Sequence, residues 1–295
     1  MLPDMRSGSP SIITLSSHVA YGAVGNRIIV PALEALGLSA IALSTVQLPW
    51  HPGLNAIFGK GARIVPEEQA FAAIIENLCS APWLGNVNAM ITGYLGSAAQ
   101  ATEIAKLVKA LKRANPSAHY LCDPVIGDNG GLYVPVETAT AIRDRLWPLA
   151  DCVTPNQFEF GWITGQASLE HAKIIKTAKD LAKQHVIITS CNAGADQIGN
   201  LLVSSNQAKM ISHPALSPTP NGTGDLLAAL FLGNMVKGEE AEAALIKAAS
   251  GVFAAIKDAN HFEQSSLAPE HLRDGLGREI SEMSIERVGG TEFSN

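Results

Sequence analysis

Short apolar runs that alternate with helical patterns are the feature that most constrains the fold of this chain. The runs occupy residues 11–16, 40–46, 89–94, 119–122, 152–154 and 186–189. Helical patterns cover residues 67–78, 97–113, 135–146 and 171–184. Each run has the length of a buried strand, and apolar residues at i, i+3, i+4 and i+7 give the segment 97–113 one face for packing on a sheet. The alternation predicts an α/β fold with an open, mostly parallel central sheet between two helical layers.

Two further runs extend this expectation to the edge of the sheet. Residues 201–204 and 209–212, joined near Asn206, predict a small antiparallel hairpin. Neither a repeat nor a linker divides the sequence, so we expect one domain over residues 1–295. From about residue 278 the helical period is lost, which predicts a polar tail over residues 278–295.

The composition excludes several classes of partner. The chain has 295 residues, of which 47% are hydrophobic, and a formal net charge of −6, with its lysines and arginines scattered. Such a chain can bury a large core but does not attract nucleic acid. Its longest apolar stretch is too short to span a bilayer, and residues 1–10 lack the layout of a signal peptide. We therefore expect neither a nucleic-acid nor a membrane partner.

The cysteines indicate a reducing environment. They form no C-x-x-C pair and lie in or beside apolar runs, at Cys79, Cys122, Cys152 and Cys191. Buried thiols are therefore favoured over disulfides or a metal site. Reduced thiols fit a cytoplasmic protein.

Polar residues follow the predicted strands. Ligands of open α/β sheets bind outside the carboxyl ends of the strands, so we expect these residues to line one rim. They are Ser16, Ser17 and His18, then Thr45, Val46 and Gln47, then Gly93 and Tyr94, then Asp123 and Pro124, then Thr154, Pro155 and Asn156, and finally Thr189 and Ser190.

The sequence Asn221-Gly222-Thr223-Gly224-Asp225 opens a strongly apolar helix. Its glycines let consecutive backbone amides point into one concavity at the positive end of the helix, where phosphate binds. An aspartate would repel a resting phosphate, so Asp225 is best explained as a group that accepts a proton from an attacking hydroxyl. This interpretation predicts phosphoryl transfer. A simple glycine turn before a capped helix explains the same residues, and the motif alone leaves both open.

Two carboxylates at the rim also have two interpretations. Asp123 precedes a glycine-rich loop and is suited to binding Mg²⁺, or to forming an Asp-Pro turn. Asn156 and Glu159 have the spacing of a capping box, while Glu159 at this rim could also hold a metal-bound water. Both interpretations of Glu159 can hold at once.

The remaining loops carry weaker signals. His18 and His51 are each more often ordinary loop histidines than ligands or bases. His51 lies in the stretch 47–60, which is rich in proline and glycine and long enough to form a lid that excludes water. The segment 22–26 lacks the third glycine of a dinucleotide-binding loop and predicts a tight turn that holds Ser17 and His18 toward the rim.

Taken together, these segments resemble the pyridoxal kinases, a branch of the ribokinase-like superfamily, over roughly residues 12–259. The matching segments are 17–22 with 25–26, 45–46, 92–95, 123–128, 133–134, 154–156 with 158–159, and 222–225. The resemblance implies ATP-dependent phosphorylation of the 5′-hydroxyl of pyridoxal, and of pyridoxine and pyridoxamine, in vitamin B6 salvage. It also implies Mg²⁺ and a homodimer, and it leaves open whether a monovalent cation such as K⁺ is required.

The resemblance also implies roles for individual residues. Asp225 would be the catalytic base, with an anion hole shaped by Gly222, Thr223 and Gly224. The residues implied for ATP are Asp123, Thr154, Glu159, Thr189, His213, Pro214, Ala215, Leu216 and Gly222. Those implied for the metal are Asp123, Tyr133 and Glu159. Those implied for the substrate are Ser17, Thr45, His51, Tyr94 and Asp225.

Two segments depart from the pattern of this family. Residues 47–52 lack the Ser-Asn pair common after the Thr-Val step, and the stretch 213–222 is short and proline-rich. The nearest alternative is a hydroxymethylpyrimidine kinase, whose ring alcohol is similar in size. A more distant alternative is a ligand-binding relative that keeps the fold without catalysis.

Overall fold

A computed structural model describes residues 11–166, 170–205, 207–272 and 282–288. In chain order its strands are β1 (Ser11–Tyr21), β2 (Ser39–Trp50), β3 (Val87–Thr92), β4 (His119–Cys122), β5 (Gly127–Asp128), β6 (Gly131–Leu132), β7 (Cys152–Val153), β8 (His185–Asn192), β9 (Gln197–Val203), β10 (Ala208–Pro214) and β11 (Ser284–Arg287). The α-helices are α1 (Asn26–Ala35), α2 (Asn55–Phe58), α3 (Glu68–Cys79), α4 (Ala98–Ala114), α5 (Val136–Ala141), α6 (Gln157–Thr164), α7 (His171–Asp180), α8 (Thr223–Val236) and α9 (Ala241–His261).

The central sheet is open and mostly parallel, as the sequence predicts. Its strands lie in the order β11-β10-β9-β8-β7-β4-β3-β1-β2. Pairing is parallel from β2 through β8 and antiparallel from β8 through β11. The two-residue strands β5 and β6 form a separate antiparallel pair. The carboxyl ends of the parallel strands therefore meet at one rim.

Helices cover both faces of the sheet, which confirms the two predicted layers. Helices α3 to α7 contribute buried residues to the core on one face, and helices α1, α8 and α9 contribute to the core on the other. Successive strand residues serve opposite cores: Ile12 belongs to one and Ile13 to the other. A strand apolar on both faces can only be buried on both, so continuous apolar runs dictate this arrangement.

Helix α8 is enclosed by the rest of the fold. Every residue from Leu226 to Asn234 is buried, and the helix contacts α1, α9 and the sheet. A helix that is apolar on all sides is stable only when it is covered on all sides. The N-terminus of α8 is consequently held in a fixed position at the rim.

The first two strands are longer than the apolar runs predict. Beyond the expected ends at residues 16 and 46, β1 and β2 stay paired as far as Tyr21 and Trp50, with a shift of register between Ser16 and His18. The rings of Tyr21 and Trp50 each pack edge-on against Phe58. These aromatic contacts stabilise a two-stranded arm. Its polar residues interrupt the apolar runs, so the sequence pattern does not predict it.

The carboxyl-terminal part of the sheet confirms the predicted hairpin, since β9 and β10 are antiparallel. Asn206, where the turn was placed, lies outside the described residues. Strand β11 pairs antiparallel with β10 and was not anticipated, because it falls in the segment expected to be a tail. The rest of the segment 278–295 lies outside the described residues, apart from positions adjoining this strand.

The predicted burial of the thiols is confirmed for three of the four cysteines. Cys122, Cys152 and Cys191 are buried, Cys79 is half-buried, and all four are free. In the part of the chain that the structure describes, none of the helices combines the length and apolar character that a bilayer span requires.

Replacing a large side chain of α8 tests how far stability depends on this enclosed helix. Phe231 is fully buried, so Phe231→Ala should lower the free energy of unfolding by about 3–5 kcal/mol, through lost transfer energy and the cavity left behind. Ile57 is 71% exposed, and Ile57→Ala should change it by less than about 0.5 kcal/mol. Denaturant unfolding measures both. Equal losses would contradict this description of the core.

Candidate active site

The candidate site lies where two helix N-termini meet the rim of the sheet. Asp225 is in the first turn of α8, and its Oδ2 accepts a hydrogen bond of 3.0 Å from the backbone amide of Gly25. Gly25 directly precedes α1. This bond joins turns that are 200 positions apart in sequence. It fixes one carboxylate oxygen while the group stays at the positive end of a helix.

Gly222 brings the same two turns into close contact. Its φ is +92°, in the left-handed region, and a Cβ at this position would stand 2.0 Å from the backbone oxygen of Ala23. Glycine alone meets both requirements. Gly224 differs, because open space faces the position of its missing Cβ. This space lies beside the free amides of the first turn of α8, where an anion is favoured.

The environment of Asp225 opposes its ionisation. Burial raises the pKa of this carboxyl to about 6, and the hydrogen bond from Gly25 offsets part of the rise by favouring the charged form. Its second oxygen, Oδ1, is shielded from solvent and has no hydrogen-bond partner among the described residues. A carboxyl with a pKa just below neutrality is ionised at pH 7 and still accepts a proton readily, as a general base must.

Asp123 brings another carboxylate into the same region. It is buried at the end of β4, and burial, followed by the negative charges of Glu159 and Asp225, holds its pKa well above the usual range. The hydroxyl of Thr154 offsets part of this rise. No basic side chain contributes to the shift. Three acidic groups therefore share this end of the sheet, and none of the described residues places a balancing cation against Asp123.

This excess of negative charge fits a divalent cation. Within residues 11–166, 170–205, 207–272 and 282–288, no group of three or more His, Cys, Asp or Glu side chains is placed to hold a metal ion by itself. Mg²⁺ binds through one or two carboxylates together with waters and substrate phosphates. Asp123 and Glu159 therefore suit an Mg²⁺ ion that arrives with a nucleotide.

Glu159 confirms the capping-box interpretation. Its Oε2 accepts from the amide of Asn156 at 2.9 Å, and its own amide donates to Oδ1 of Asn156 at 2.9 Å. Its Oε1 accepts from the amide of Ile126 at 2.8 Å. Burial nevertheless raises the pKa of Glu159 to about 7. Val125, with a φ of +40°, is the strained residue that turns this loop toward the carboxylate.

Tyr133 lies at the outer side of this region. Its ring is 55% exposed, and its hydroxyl donates a hydrogen bond to the carboxylate of Asp128. Burial and this hydrogen bond raise the pKa of the phenol, so the phenol remains protonated. The Tyr133 hydroxyl is engaged by a neighbouring acid, and its place near a metal stays a prediction.

A pocket of about 110 Å³ opens beside Gly224. Of the residues assigned to ATP or the anion hole, it gathers Thr189, His213, Ala215, Leu216, Thr223 and Gly224. Pro214 ends β10 and is not among the lining residues, while Asp123 and Thr154 lie with the carboxylates. The predicted nucleotide residues thus divide between an apolar pocket and an acidic centre.

Helix α9 supplies a wall of this pocket that the sequence analysis missed. Ala249, Val252 and Ile256 line it from successive turns of the helix. Their spacing is visible in the sequence, but it is the spacing of any core-facing helix. His213 is fixed by the same helix, because its ring packs 4.8 Å from that of Phe253. Burial lowers the pKa of His213, which keeps it neutral.

Two of the residues predicted for the substrate, Ser17 and Asp225, lie beside the Gly25 turn. Ser17 is buried against it, since a Cβ at Gly25 would stand 2.5 Å from the Ser17 Oγ. Thr45 donates to the backbone oxygen of Tyr94 at 2.6 Å, so its hydroxyl already holds neighbouring main chain. The substrate roles of Ser17, Thr45 and Tyr94 stay predictions.

His51 links the predicted lid to the glycine motif. Its Nδ1 accepts a hydrogen bond of 3.0 Å from the amide of Gly53, and burial lowers its pKa, so the ring is neutral with its proton on Nε2. A Cβ at Gly53 would stand 3.3 Å from the side-chain nitrogen of Asn221. The stretch 47–60 therefore approaches the turn that precedes α8. Contact of His51 with a substrate stays a prediction.

Comparison with known proteins agrees with the class that this fold and site define, a small-molecule kinase. The family model described as phosphomethylpyrimidine kinase matches residues 34–269. A relative from Leifsonia xyli subsp. xyli, named pyridoxal kinase PdxY, is 32% identical, with 94% of this chain and 99% of the relative covered. The chain therefore belongs to the pyridoxal kinase PdxY family, which confirms the resemblance found in its sequence.

Solved structures agree with this assignment. A pyridoxal kinase from Entamoeba histolytica has a TM-score of 0.85 and 25% identity, with 95% of this chain and 100% of that chain covered. A pyridoxal kinase from Leishmania donovani, in complex with ADP and pyridoxine, has a TM-score of 0.83 and 25% identity, with 95% and 99% covered. The fold of this chain is thus shared with pyridoxal kinases along nearly its whole length.

The two glycines of the motif predict different outcomes on substitution by alanine. Gly222→Ala should lower the free energy of unfolding by about 1–3 kcal/mol, because φ is positive and the new Cβ meets the Ala23 backbone. Gly224→Ala should leave stability unchanged or raise it by up to about 1 kcal/mol, because alanine favours the helix and space is open. Thermal unfolding of both variants measures this. Similar destabilisation of the two would contradict the described turn.

Removing the charge of Asp225 should stabilise the protein in a pH-dependent way. Because the folded pKa is about 6 and the ordinary value is 3.8, ionisation opposes folding as pH rises through this window. At pH 8, Asp225→Asn should gain about 2–3 kcal/mol, since one pKa unit corresponds to about 1.4 kcal/mol. At pH 4 the gain should nearly vanish. The exposed Asp196→Asn is the control and should show no such trend. A pH-independent difference between Asp225→Asn and wild type would contradict burial of the charge.

Proposed function

We propose that this protein transfers the γ-phosphoryl group of ATP to the hydroxymethyl oxygen of pyridoxal, and of pyridoxine and pyridoxamine. One observation carries the proposal: the Asp225 carboxylate, with its Oδ1 shielded from solvent, is held beside the free amides of a helix N-terminus and next to a pocket. Membership of the PdxY family supports the substrate class. The product would be the 5′-phosphate of the vitamer, which is the reaction of vitamin B6 salvage.

The catalytic steps are assigned to groups at the start of α8. Asp225 takes the proton of the substrate hydroxyl as its oxygen attacks the γ-phosphorus. The backbone amides of Gly222, Thr223 and Gly224 stabilise the charge that develops on the transferred oxygens. In other enzymes, removing one donor of this kind raises the activation free energy by about 3–4 kcal/mol. Positioning and electrostatics supply nearly all the catalysis in phosphoryl transfer. The pKa of about 6 for Asp225 supports its part as base.

The nucleotide and its metal would occupy the two regions described beside this helix. Adenine would lie in the pocket formed by Thr189, His213 and Leu216, with its polyphosphate directed toward Gly224. Asp123 and Glu159 would hold Mg²⁺, which when bound neutralises phosphate charge. The apolar wall from α9 supports adenine rather than a charged ligand there. The lid 47–60 would exclude water during transfer.

Further parts of the proposal concern the assembly and location of the protein. It would act as a cytoplasmic homodimer, without a nucleic-acid or membrane partner. Its net charge of −6 and its free thiols support this setting. The number of subunits follows from the family resemblance alone, and light scattering measures it.

A second candidate is a hydroxymethylpyrimidine kinase. The observation that favours it is the family model, whose description is phosphomethylpyrimidine kinase. The two substrates are ring alcohols of similar size, so the same base and anion hole would serve both. The candidates differ in the ring that contacts the lid and β1.

A substrate panel tests the proposed function. With MgATP, and with or without K⁺, the wild-type protein should phosphorylate pyridoxal, pyridoxine and pyridoxamine with a higher kcat/KM than hydroxymethylpyrimidine, as measured by mass detection of the product. Asp225→Asn should lower kcat by about 10²- to 10⁴-fold and leave ATP binding nearly intact. Preference for hydroxymethylpyrimidine would select the second candidate. Full turnover by Asp225→Asn would overturn the assigned base.

A further inference from the structure

Two buried oxygen atoms at the inner side of the site have no hydrogen-bond partner among the residues that the structure describes. One is Oδ1 of Asp225, and the other is Oγ of Ser16, at the point where β1 leaves the body of the sheet. Ser16 is fully buried and faces the helix layer that contains α8, as Thr14 does two residues earlier through its bond to Asn26 of α1. Leaving a buried polar group unpaired costs about 1–3 kcal/mol, so both require an explanation.

Gly93 lies close to both oxygens. A Cβ at this position would stand 2.6 Å from Oγ of Ser16 and 3.6 Å from Oδ1 of Asp225. The backbone amide of Gly93 is bonded to β1 through the oxygen of Leu15 at 2.9 Å, so its position is fixed. Because Gly93 has no side chain, the Ser16 hydroxyl and the Asp225 carboxylate can both occupy the space beside its Cα.

We propose that Ser16 is a positioning residue for the base, donating a hydrogen bond to the inner oxygen of Asp225 when that carboxylate is ionised. The inference rests on the proposed function, because it assigns a partner to the proposed base. The hydroxyl is a donor and Oδ1 is an acceptor, and both lack another partner in the described chain. Gly25 holds the other oxygen, Oδ2. A carboxylate held at both oxygens keeps one orientation toward the alcohol.

The charges around Asp225 leave this role to a neutral donor. Directly after β4, Asp123 faces the same region, and the negative charge of Asp225 raises its pKa. Tyr94 follows Gly93, and Arg27 on α1 is exposed to solvent. A cation against Oδ1 would lower the pKa of the base too far for proton transfer, whereas a hydroxyl stabilises the charged form modestly. Ser16 thus orients the base and keeps it able to accept a proton.

Ser16→Ala removes the proposed donor with minimal loss of volume. We expect kcat to fall about 10-fold with the KM for ATP nearly unchanged, because orientation of the base is lost while nucleotide contacts stay. The acidic limb of the pH profile of kcat/KM should move upward by about one pH unit, because a hydrogen bond to the ionised form is removed. A residue that only fills space would not shift this limb.

Thr14→Val is the matched control, since it also removes a buried hydroxyl from the same strand and face. The Thr14 hydroxyl differs from that of Ser16 because it already donates to Asn26. It should lower the melting temperature and leave the acidic limb in place. Gly93→Ala is a second variant of the inference, because its methyl group would displace the Ser16 Oγ. Combining it with Ser16→Ala should lower kcat no further than Gly93→Ala alone.

The outcomes separate this inference from the proposed function. A Ser16→Ala protein with unchanged kcat and pH profile, alongside an inactive Asp225→Asn protein, would overturn the role of Ser16 and leave the function intact. An Asp225→Asn protein with full activity would overturn the function itself. A shift of the acidic limb in Thr14→Val equal to that in Ser16→Ala would also refute the positioning role.

Discussion

The hydrogen bond between the Gly25 amide and the Asp225 carboxylate is the interaction on which the arrangement of this molecule depends. It connects the start of α1 to the start of α8, and the contact of Gly222 with the Ala23 backbone closes the same junction. Because residues 226–234 of α8 are all buried, the core anchors this helix just after its first turn. The position of the Asp225 carboxylate therefore depends on the whole core and not on one loop.

Burial of acidic groups gives this site its chemistry and reduces its stability. Asp225, Asp123 and Glu159 all have raised pKa values, and burial is the first cause in each case. Apolar residues of similar volume at these positions would give a more stable fold. A nucleotide that arrives with Mg²⁺, as proposed above, would supply the positive charge that these acids lack, and stability and function would then place opposite demands on the same residues.

The sequence predicts the central sheet and its two helical layers well, because strands buried on both faces are continuously apolar, as residues 186–189 are. It predicts the rim because every parallel strand ends there. It does not predict the β1–β2 arm, whose contacts among Tyr21, Trp50 and Phe58 join distant positions and follow no local period. Nor does it distinguish Ser16 from Ser17: the two are adjacent and chemically identical, and only tertiary packing sets one against Gly93 and the other against Gly25.

The shift of register between Ser16 and His18 has a mechanical consequence. An irregularity of this kind bends a strand and weakens its pairing at one place, so the arm is softest where it leaves the sheet. The tip of that arm carries the aromatic cluster and runs on into the stretch 47–60, whose role as a lid is a prediction. A lid formed by this stretch would pivot next to Ser16 and Ser17, so its movement would be tied to the surroundings of the Asp225 carboxylate.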